Sequence, residues 1–342
     1  MTSILYVGRS SGTSGQRLAA LQRLGHQVHQ VDPYAALPTG ALAHAWTYKT
    51  GNLGLDGRVH RHIAAALGDA RFDVALVDNG ELISPRSVAT LRRAARRIAV
   101  FNQDNPFSAR DGNRWRLFRK ALPDYDLYIT PRQSNVAEGQ QAGARHILRV
   151  WFSADEVAHQ PLTLTAQDQA RFACDVAFVG TWMPERGPLM RDLIERGVPL
   201  RIYGPRWQKA PEFPQIAPFV HQGELKGADY VKAILGARIS LALLSKGNRD
   251  LHTTRSLEIP AIGSLLCGER TSEHQSLYEE GTEAVFWDNA AECAALCAAL
   301  LADEPRRSAM AQAGHNRALA NRHFNERWLS EMIATAMATP ER

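Results

Sequence analysis

The chain has 342 residues, 45% of them hydrophobic and 22% charged, a balance that belongs to folded globular proteins and excludes wholesale disorder. That length exceeds what one hydrophobic core usually serves, so two domains are expected. The 40 Lys and Arg against 35 Asp and Glu leave a net charge of +5, which suits an anionic small molecule or a membrane surface at least as well as nucleic acid.

Residues 3–8, Ser-Ile-Leu-Tyr-Val-Gly, read as a strand directly after Met1, and no run reaches the roughly 18 apolar residues of a membrane span. The expectation is a cytoplasmic chain with neither signal peptide nor anchor. Further strands are expected over 28–31, 74–77, 98–101, 127–130 and 146–150, with helices over 16–24, 87–97, 114–122 and 134–142. Strands separated by helices imply βαβ units and a parallel sheet. The pattern lapses into polar residues around 152–169 and restarts at Asp175-Val-Ala-Phe-Val-Gly180. Strands then follow over 200–203, 239–244, 264–267 and 284–287, helices over 185–196, 227–236, 272–280 and 290–302, and a helical tail from Pro305 to Ala338. This is an α/β chain of two domains, 1–157 and 158–324, with the helix after 325 free to pack back on the first. Two facing Rossmann-like sheets would leave a cleft between them, and ligands of such sheets bind beyond the carboxyl ends of the strands.

The four cysteines, Cys174, Cys267, Cys293 and Cys297, have neither disulfide nor CxxC spacing, which fits a reducing compartment. Cys293 and Cys297 stand four apart on an expected helix. With no His or third Cys nearby, they read as small buried residues and not as metal ligands.

After the first strand, Gly8-Arg-Ser-Ser-Gly12-Thr-Ser-Gly15 offers backbone N–H groups to a phosphate or sugar, with Gly12 as the candidate contact. It has neither Walker nor dinucleotide spacing, and a plain tight turn is the alternative. Phe101-Asn-Gln-Asp104-Asn-Pro106 follows a later strand. Asp104 is the candidate for contacting or deprotonating an acceptor hydroxyl, against a reading in which it caps the next turn. Asp124-Tyr125-Asp126 spells a metal-binding DxD but precedes its strand, on the wrong sheet edge for chemistry. Basic stripes at Arg92, Arg93, Arg96, Arg97 and at Arg114, Arg116, Arg119, Lys120, with Trp115 and Phe118 between the latter, read as solvated helix faces or a surface for anionic lipid or polymer, not nucleic acid.

The richest segment is Lys246-Gly-Asn-Arg249-Asp250-Leu-His-Thr-Thr254-Arg255-Ser-Leu-Glu258-Ile-Pro260-Ala-Ile-Gly263. A loop carrying Lys246, Arg249 and Arg255 that opens into a helix is a sensible diphosphate site, because free N–H groups at a helix start favour anions. Glu258 can accept from ribose hydroxyls. A solvated loop with Glu258 as a surface charge is the equal rival. Arg186, at the next helix start after Gly180-Thr-Trp-Met-Pro-Glu185, can pair with the diphosphate. Tyr203-Gly204-Pro205-Arg206, after its strand, is a candidate nucleobase wall, where a backbone close to the base needs a Gly.

Segments 255–263, 269–273 (Glu-Arg-Thr-Ser-Glu), 278–287 (Tyr-Glu-Glu-Gly-Thr-Glu-Ala-Val-Phe-Trp), 175–186 and 202–207 (Ile-Tyr-Gly-Pro-Arg-Trp) together resemble the CgeB-like (spore maturation protein) glycosyltransferases. The similarity runs in order over roughly residues 70–325. It implies the GT-B fold with a glycosyl transferases group 1-like second domain. Retaining members of the broader group carry two acids with seven residues between them, as Asp250 and Glu258 are here. By resemblance, Asp250 faces the donor sugar and Glu258 the ribose. The first acid is Asp where the group has Glu, and Pro260 falls where the helix is usually uninterrupted, which predicts a kink or a later helix start.

The reading is a metal-independent glycosyltransferase that moves a sugar from a nucleotide-diphosphate sugar to a glycan, protein or lipid-linked acceptor, in cell-surface glycan or glycoconjugate synthesis. No cofactor and no metal are expected. Peripheral contact with anionic lipid at the inner membrane face is left open. The alternatives are a sugar-nucleotide epimerase on the same fold and a non-catalytic carbohydrate-binding or surface-assembly protein.

Overall fold

The computed structural model describes residues 1–221 and 223–340. The chain divides into two compact units, Met1–Trp151 with the terminal stretch from Asn325, and Phe152–Phe324.

Unit 1 holds β1 (Ser3–Val7), β2 (Gln27–Val31), β3 (Phe72–Asp78), β4 (Ala95–Phe101), β5 (Leu127–Thr130) and β6 (Ile147–Arg149). All are parallel, in the order β2-β1-β3-β4-β5-β6. The inner strands are apolar on both faces because both are covered, and alternation assigns residues to one face or the other. Leu5, Val7, Ala75, Val77, Ile98 and Val100 pack with Trp115 and Phe118. Ile4, Tyr6, Val74, Leu76, Ala99 and Phe101 pack under Trp328, Leu329 and Met332 of the helix Asn325–Ala338. That helix is also tied to helix Gly12–Arg23 by Arg23 and Glu326 at 2.6 Å.

Unit 2 holds β7 (Cys174–Val179), β8 (Leu200–Tyr203), β9 (Val220–His221), β10 (Ala237–Ala242), β11 (Leu266–Glu269) and β12 (Val285–Trp287). The parallel order is β12-β11-β10-β7-β8-β9. In both sheets the strand order reverses beside the first strand, between β1 and β3 and between β7 and β10. These are the points where a crevice opens at the carboxyl edge.

The structure departs from the sequence-based expectation in several places. Helices Ala41–Thr50, Asp56–Leu67 and Ala166–Phe172 and strand β9 were not expected. The first helix starts at Gly12, four residues early, and helix Pro85–Ala94 passes directly into β4 at Ala95. Helix Thr254–Ile262 begins before Pro260 and contains it. The carbonyl that Pro260 leaves without a helical donor belongs to Ser256, and the Tyr278 hydroxyl donates to it at 2.9 Å. The substitute donor lets the helix run through a proline.

Asp126 is structural: buried, it takes Arg92 Nη2 at 2.7 Å and the Ile98 N–H at 2.8 Å. Trp115 and Phe118 are core residues and present no stacking surface beside the basic stripe. Among the described residues no helix is long and apolar enough to cross a membrane.

Candidate active site

At the reversal point of unit 2, the turn after β7 and the loop after β10 are laced together. Arg186 donates from Nη1 to the Thr181 carbonyl at 2.8 Å and from Nη2 to the Leu243 carbonyl at 3.0 Å. The Lys246 N–H donates to Glu185 Oε1 at 3.0 Å. Arg255 donates from Nε to the Val179 carbonyl at 2.9 Å and from Nη1 to Thr254 Oγ1 at 3.3 Å. The sequence-selected residues 185, 186, 246, 254 and 255 thus meet at one strand edge.

Arg186 is 8% exposed, and no carboxylate of the described residues lies within ion-pair range of it. Its Nε is buried without a partner. Burial, reinforced by repulsion from Arg255, pulls its guanidinium down to about 10, although Glu185, Asp250 and Glu269 act in the other direction. A buried cation held by two carbonyls and the face of the Phe178 ring, with no paired carboxylate, is an unbalanced charge, and an anion placed there would balance it.

Helix Thr254–Ile262 starts at this point. Thr253 caps it reciprocally with Ser256, the Thr253 N–H donating to Ser256 Oγ at 3.1 Å. Behind the cap, buried His274 bonds Glu269 O through Nδ1 and Ser256 Oγ through Nε2, each at 2.6 Å. Since a carbonyl only accepts, Nδ1 carries the proton and Nε2 receives the Ser256 hydroxyl. Burial lowers this imidazole to about 4. His252 is fixed likewise, with Nε2 accepting the Phe152 N–H at 3.0 Å and Nδ1 meeting Glu273 at 2.5 Å.

Glu258 is buried, not the surface charge of the rival reading; Tyr230 donates its hydroxyl to one carboxylate oxygen and His159 Nε2 lies 3.7 Å from the other. Lys246 is exposed and pairs with Glu269. Arg249 is exposed with a left-handed backbone (φ 56°), and half-buried Asp250 follows it, its N–H bonded to Ser245 O at 3.2 Å.

Tyr203 has no exposed ring with which to wall a base. It is 4% exposed and packs between Phe172 and His221. Gly204 answers to the backbone: at φ 136° a Cβ there would stand 2.1 Å from the Gly180 carbonyl oxygen. A second correction concerns the cysteines. Cys267 on β11 brings a third thiol to Cys293 and Cys297, the three sulfurs lying within 4.8 Å of one another in the core. The strand carrying Cys267 is distant in sequence, so i, i+4 spacing gave no sign of it.

In unit 1, Gly12 opens its helix with φ 61° and free space around its Cα. Asp104 is half-buried, with Asn79 Nδ2 at 3.3 Å and Arg114 Nη2 at 3.4 Å, while its N–H donates to Asn102 Oδ1 at 2.8 Å. Asp104 therefore does not cap the next turn; Asn105 does, its Oδ1 accepting the Phe107 and Ser108 N–H groups at 3.2 Å each.

Residues 186–334 match a family model described as glycosyl transferase-like. Solved structures similar over the whole chain include sucrose-phosphate synthase from Thermosynechococcus elongatus, with TM-score 0.71 and 11% identity over 99% of this chain and 100% of that one. The Anabaena protein HepE in complex with UDP-glucose gives TM-score 0.65 and 14% identity over 98% and 100%. A trehalose-6-phosphate synthase studied with bisubstrate glycomimetics gives 0.66 and 15% over 99% and 100%. The chain has the two-domain GT-B fold. No curated protein matches the sequence. The family segment begins at Arg186 and includes the loop after β10.

Proposed function

We propose that the chain transfers a sugar from a nucleoside-diphosphate sugar to an acceptor hydroxyl, with unit 2 holding the donor and unit 1 the acceptor. The observation that carries this reading is Arg186, a buried guanidinium without an acid, beside Arg255 and the start of helix Thr254–Ile262. Those groups oppose the charge that grows on the departing diphosphate, an electrostatic contribution made by fixed donors in a water-poor site. Glu258 receives the ribose hydroxyls on the oxygen that Tyr230 leaves open. Asp250 addresses the donor sugar and Asp104 the acceptor hydroxyl. Lys246 and Arg249, exposed on the loop, turn onto the outer phosphate, Lys246 leaving Glu269 to do so. No divalent cation is required, because cationic side chains and N–H groups serve the phosphates.

UDP is the probe of choice, since HepE was crystallised with UDP-glucose. The CgeB-like segments of the sequence support a role in cell-surface glycan synthesis, and the charge of +5 supports contact with anionic lipid. Calorimetric titration of UDP in EDTA tests the reading. Binding by the wild type, weakened about tenfold to a hundredfold in Arg186→Met, is expected. No binding of any nucleoside diphosphate, or binding lost on chelation, overturns it.

A further inference from the structure

Unit 1 contains a cavity of about 740 Å³ walled by the loops that follow β1 (Arg9) and β3 (Glu81), by Tyr34, by Tyr48 and Asn52, and by Arg114. Its size falls within the range of roughly 300–1,000 Å³ typical of small-molecule sites. The wall is rigid. Tyr34 donates to Glu81 Oε1 at 2.7 Å and Arg114 Nε to Glu81 Oε2 at 2.6 Å. Arg114 also reaches Asp111 at 3.2 Å and Asp104 at 3.4 Å, and Tyr48 donates to Asp111 at 2.8 Å. The charges of Glu81 and Arg114 are therefore committed to each other.

Two groups on the wall are not committed. Asn52 is 1% exposed, yet neither its amide nitrogen nor its amide oxygen has a hydrogen-bond partner. The backbone holds it there: helix Ala41–Thr50 ends in two left-handed residues, Gly51 (φ 62°) and Asn52 (φ 63°). The turn is pinned by Leu53 N–H to Thr50 Oγ1 at 3.1 Å and by Trp46 Nε1 to Leu53 O at 3.0 Å. Gly51 is obligatory, because a Cβ would sit 2.0 Å from the Asn113 carbonyl. A buried amide with both ends unsatisfied calls for a partner carrying a donor and an acceptor, which vicinal hydroxyls supply. The second group is Arg9, an exposed guanidinium 3.8 Å above the Tyr34 ring with no carboxylate within ion-pair range among the described residues. Tyr48, 41% exposed, offers a ring on which a sugar can stack.

We propose that this cavity is a glycan site for a sugar bearing an anionic substituent, with the ring hydroxyls on Asn52, the sugar face on Tyr48 and the carboxylate or phosphate on Arg9. Resting on the transferase reading, it assigns the acceptor as an acidic glycan. Arg114 connects the cavity wall to Asp104, so the acid chosen for the acceptor hydroxyl stands at the margin of this site.

The test needs no donor, so its failure is separate from failure of the transferase reading. Glucuronate, glucose 6-phosphate and glucose are compared by saturation-transfer NMR titration at constant ionic strength. The expected result is tighter binding of at least one acidic sugar than of glucose, by tenfold or more, with the stronger of the two telling carboxylate from phosphate. Arg9→Gln should reduce that preference to nearly nothing, and Asn52→Ala should weaken all three sugars at least fivefold. Asn52→Gly, which keeps the positive φ, repeats the second measurement should the alanine variant unfold. Equal binding of glucose and both acidic sugars, no binding of any, or unchanged affinity in Arg9→Gln and Asn52→Gly overturns the proposal, the last outcome leaving Asn52 bonded to water only.

Discussion

The two strand-reversal points have the same architecture and opposite electrostatics. In unit 1 the point is closed: Tyr6 donates to Asp78 at 2.6 Å and Arg17 Nη2 meets both Asp78 oxygens at 2.8 and 2.9 Å, all of them buried. Gly8 completes the closure, since a Cβ there would stand 2.9 Å from the Asp78 Cβ. In unit 2 the corresponding point holds Arg186 with backbone carbonyls for company and no acid in range among the described residues. Around Asp78 the sheet edge has spent its charge internally, and around Arg186 it has not. The cavity of unit 1 begins beyond that closed cluster, between the loops after β1 and β3 and the turn that ends helix Ala41–Thr50.

The largest expected effect tests that contrast through stability. Arg17→Met leaves Asp78 buried without its cation and should cost about 3–5 kcal/mol in denaturant unfolding. Arg186→Met removes a buried cation that no acid balances, and should change stability by less than about 1 kcal/mol, in either direction. Equal losses in the two variants would break the comparison.

Next comes the pH dependence of unit 2, where His274 sits neutral behind the helix cap at about 4, against an ordinary value near 6.5. Between these values the unfolded chain binds a proton that the folded chain refuses, so stability rises with pH across the window and falls on acidification through it. The full swing is on the order of 3 kcal/mol. Urea unfolding at pH 4.5 and pH 7 should show a loss that largely disappears in His274→Gln, once the lower stability of that variant at pH 7 is subtracted. The same slope in both proteins would remove His274 from the account.

A smaller effect belongs to nucleotide affinity. Glu258→Gln keeps the size of a buried side chain while removing the charge that strengthens its hydrogen bonds, and should weaken UDP binding by about 1–2 kcal/mol in calorimetry. Unchanged affinity in the folded variant would make Glu258 a partner of Tyr230 and nothing more.

How much of this was legible in the sequence follows from the range of each interaction. The strands showed themselves as β-branched and apolar runs, and the loop from Lys246 to Gly263 announced its charges and its helix by spacing alone. Arg186 was legible as a residue at a helix start, but its isolation from acids was not, because that depends on which carboxylates the fold leaves out. Asn52 gave no signal: its amide matters only because Gly51 turns the chain and four segments close around it. Cys267, His274 and Tyr278 reach their partners across 18 or more residues, beyond any local period.

The smallest effect separates the scaffold of unit 2 from its charged site. If the Tyr278 hydroxyl stands in for the N–H that Pro260 lacks, Tyr278→Phe strands the Ser256 carbonyl inside the protein, at a cost of about 1–2 kcal/mol. Pro260→Ala in the wild type supplies a second donor to a carbonyl already satisfied, and its effect should be slight. In the Tyr278→Phe background the same change should recover most of the loss, because the new N–H reaches the carbonyl four residues earlier. The coupling between the two positions, read from a double-mutant cycle in urea, should therefore be about 1 kcal/mol, with the double variant more stable than the sum of the single effects. Additive effects would mean that the hydroxyl does not replace the missing donor. UDP affinity should stay within about twofold across the cycle, since the helix start at Thr254 is held by Thr253, Ser256 and His274 and not by the carbonyl of Ser256. A parallel fall in stability and affinity would show that the open charge of unit 2 and the packing beneath it are one device, where the contrast with unit 1 requires two.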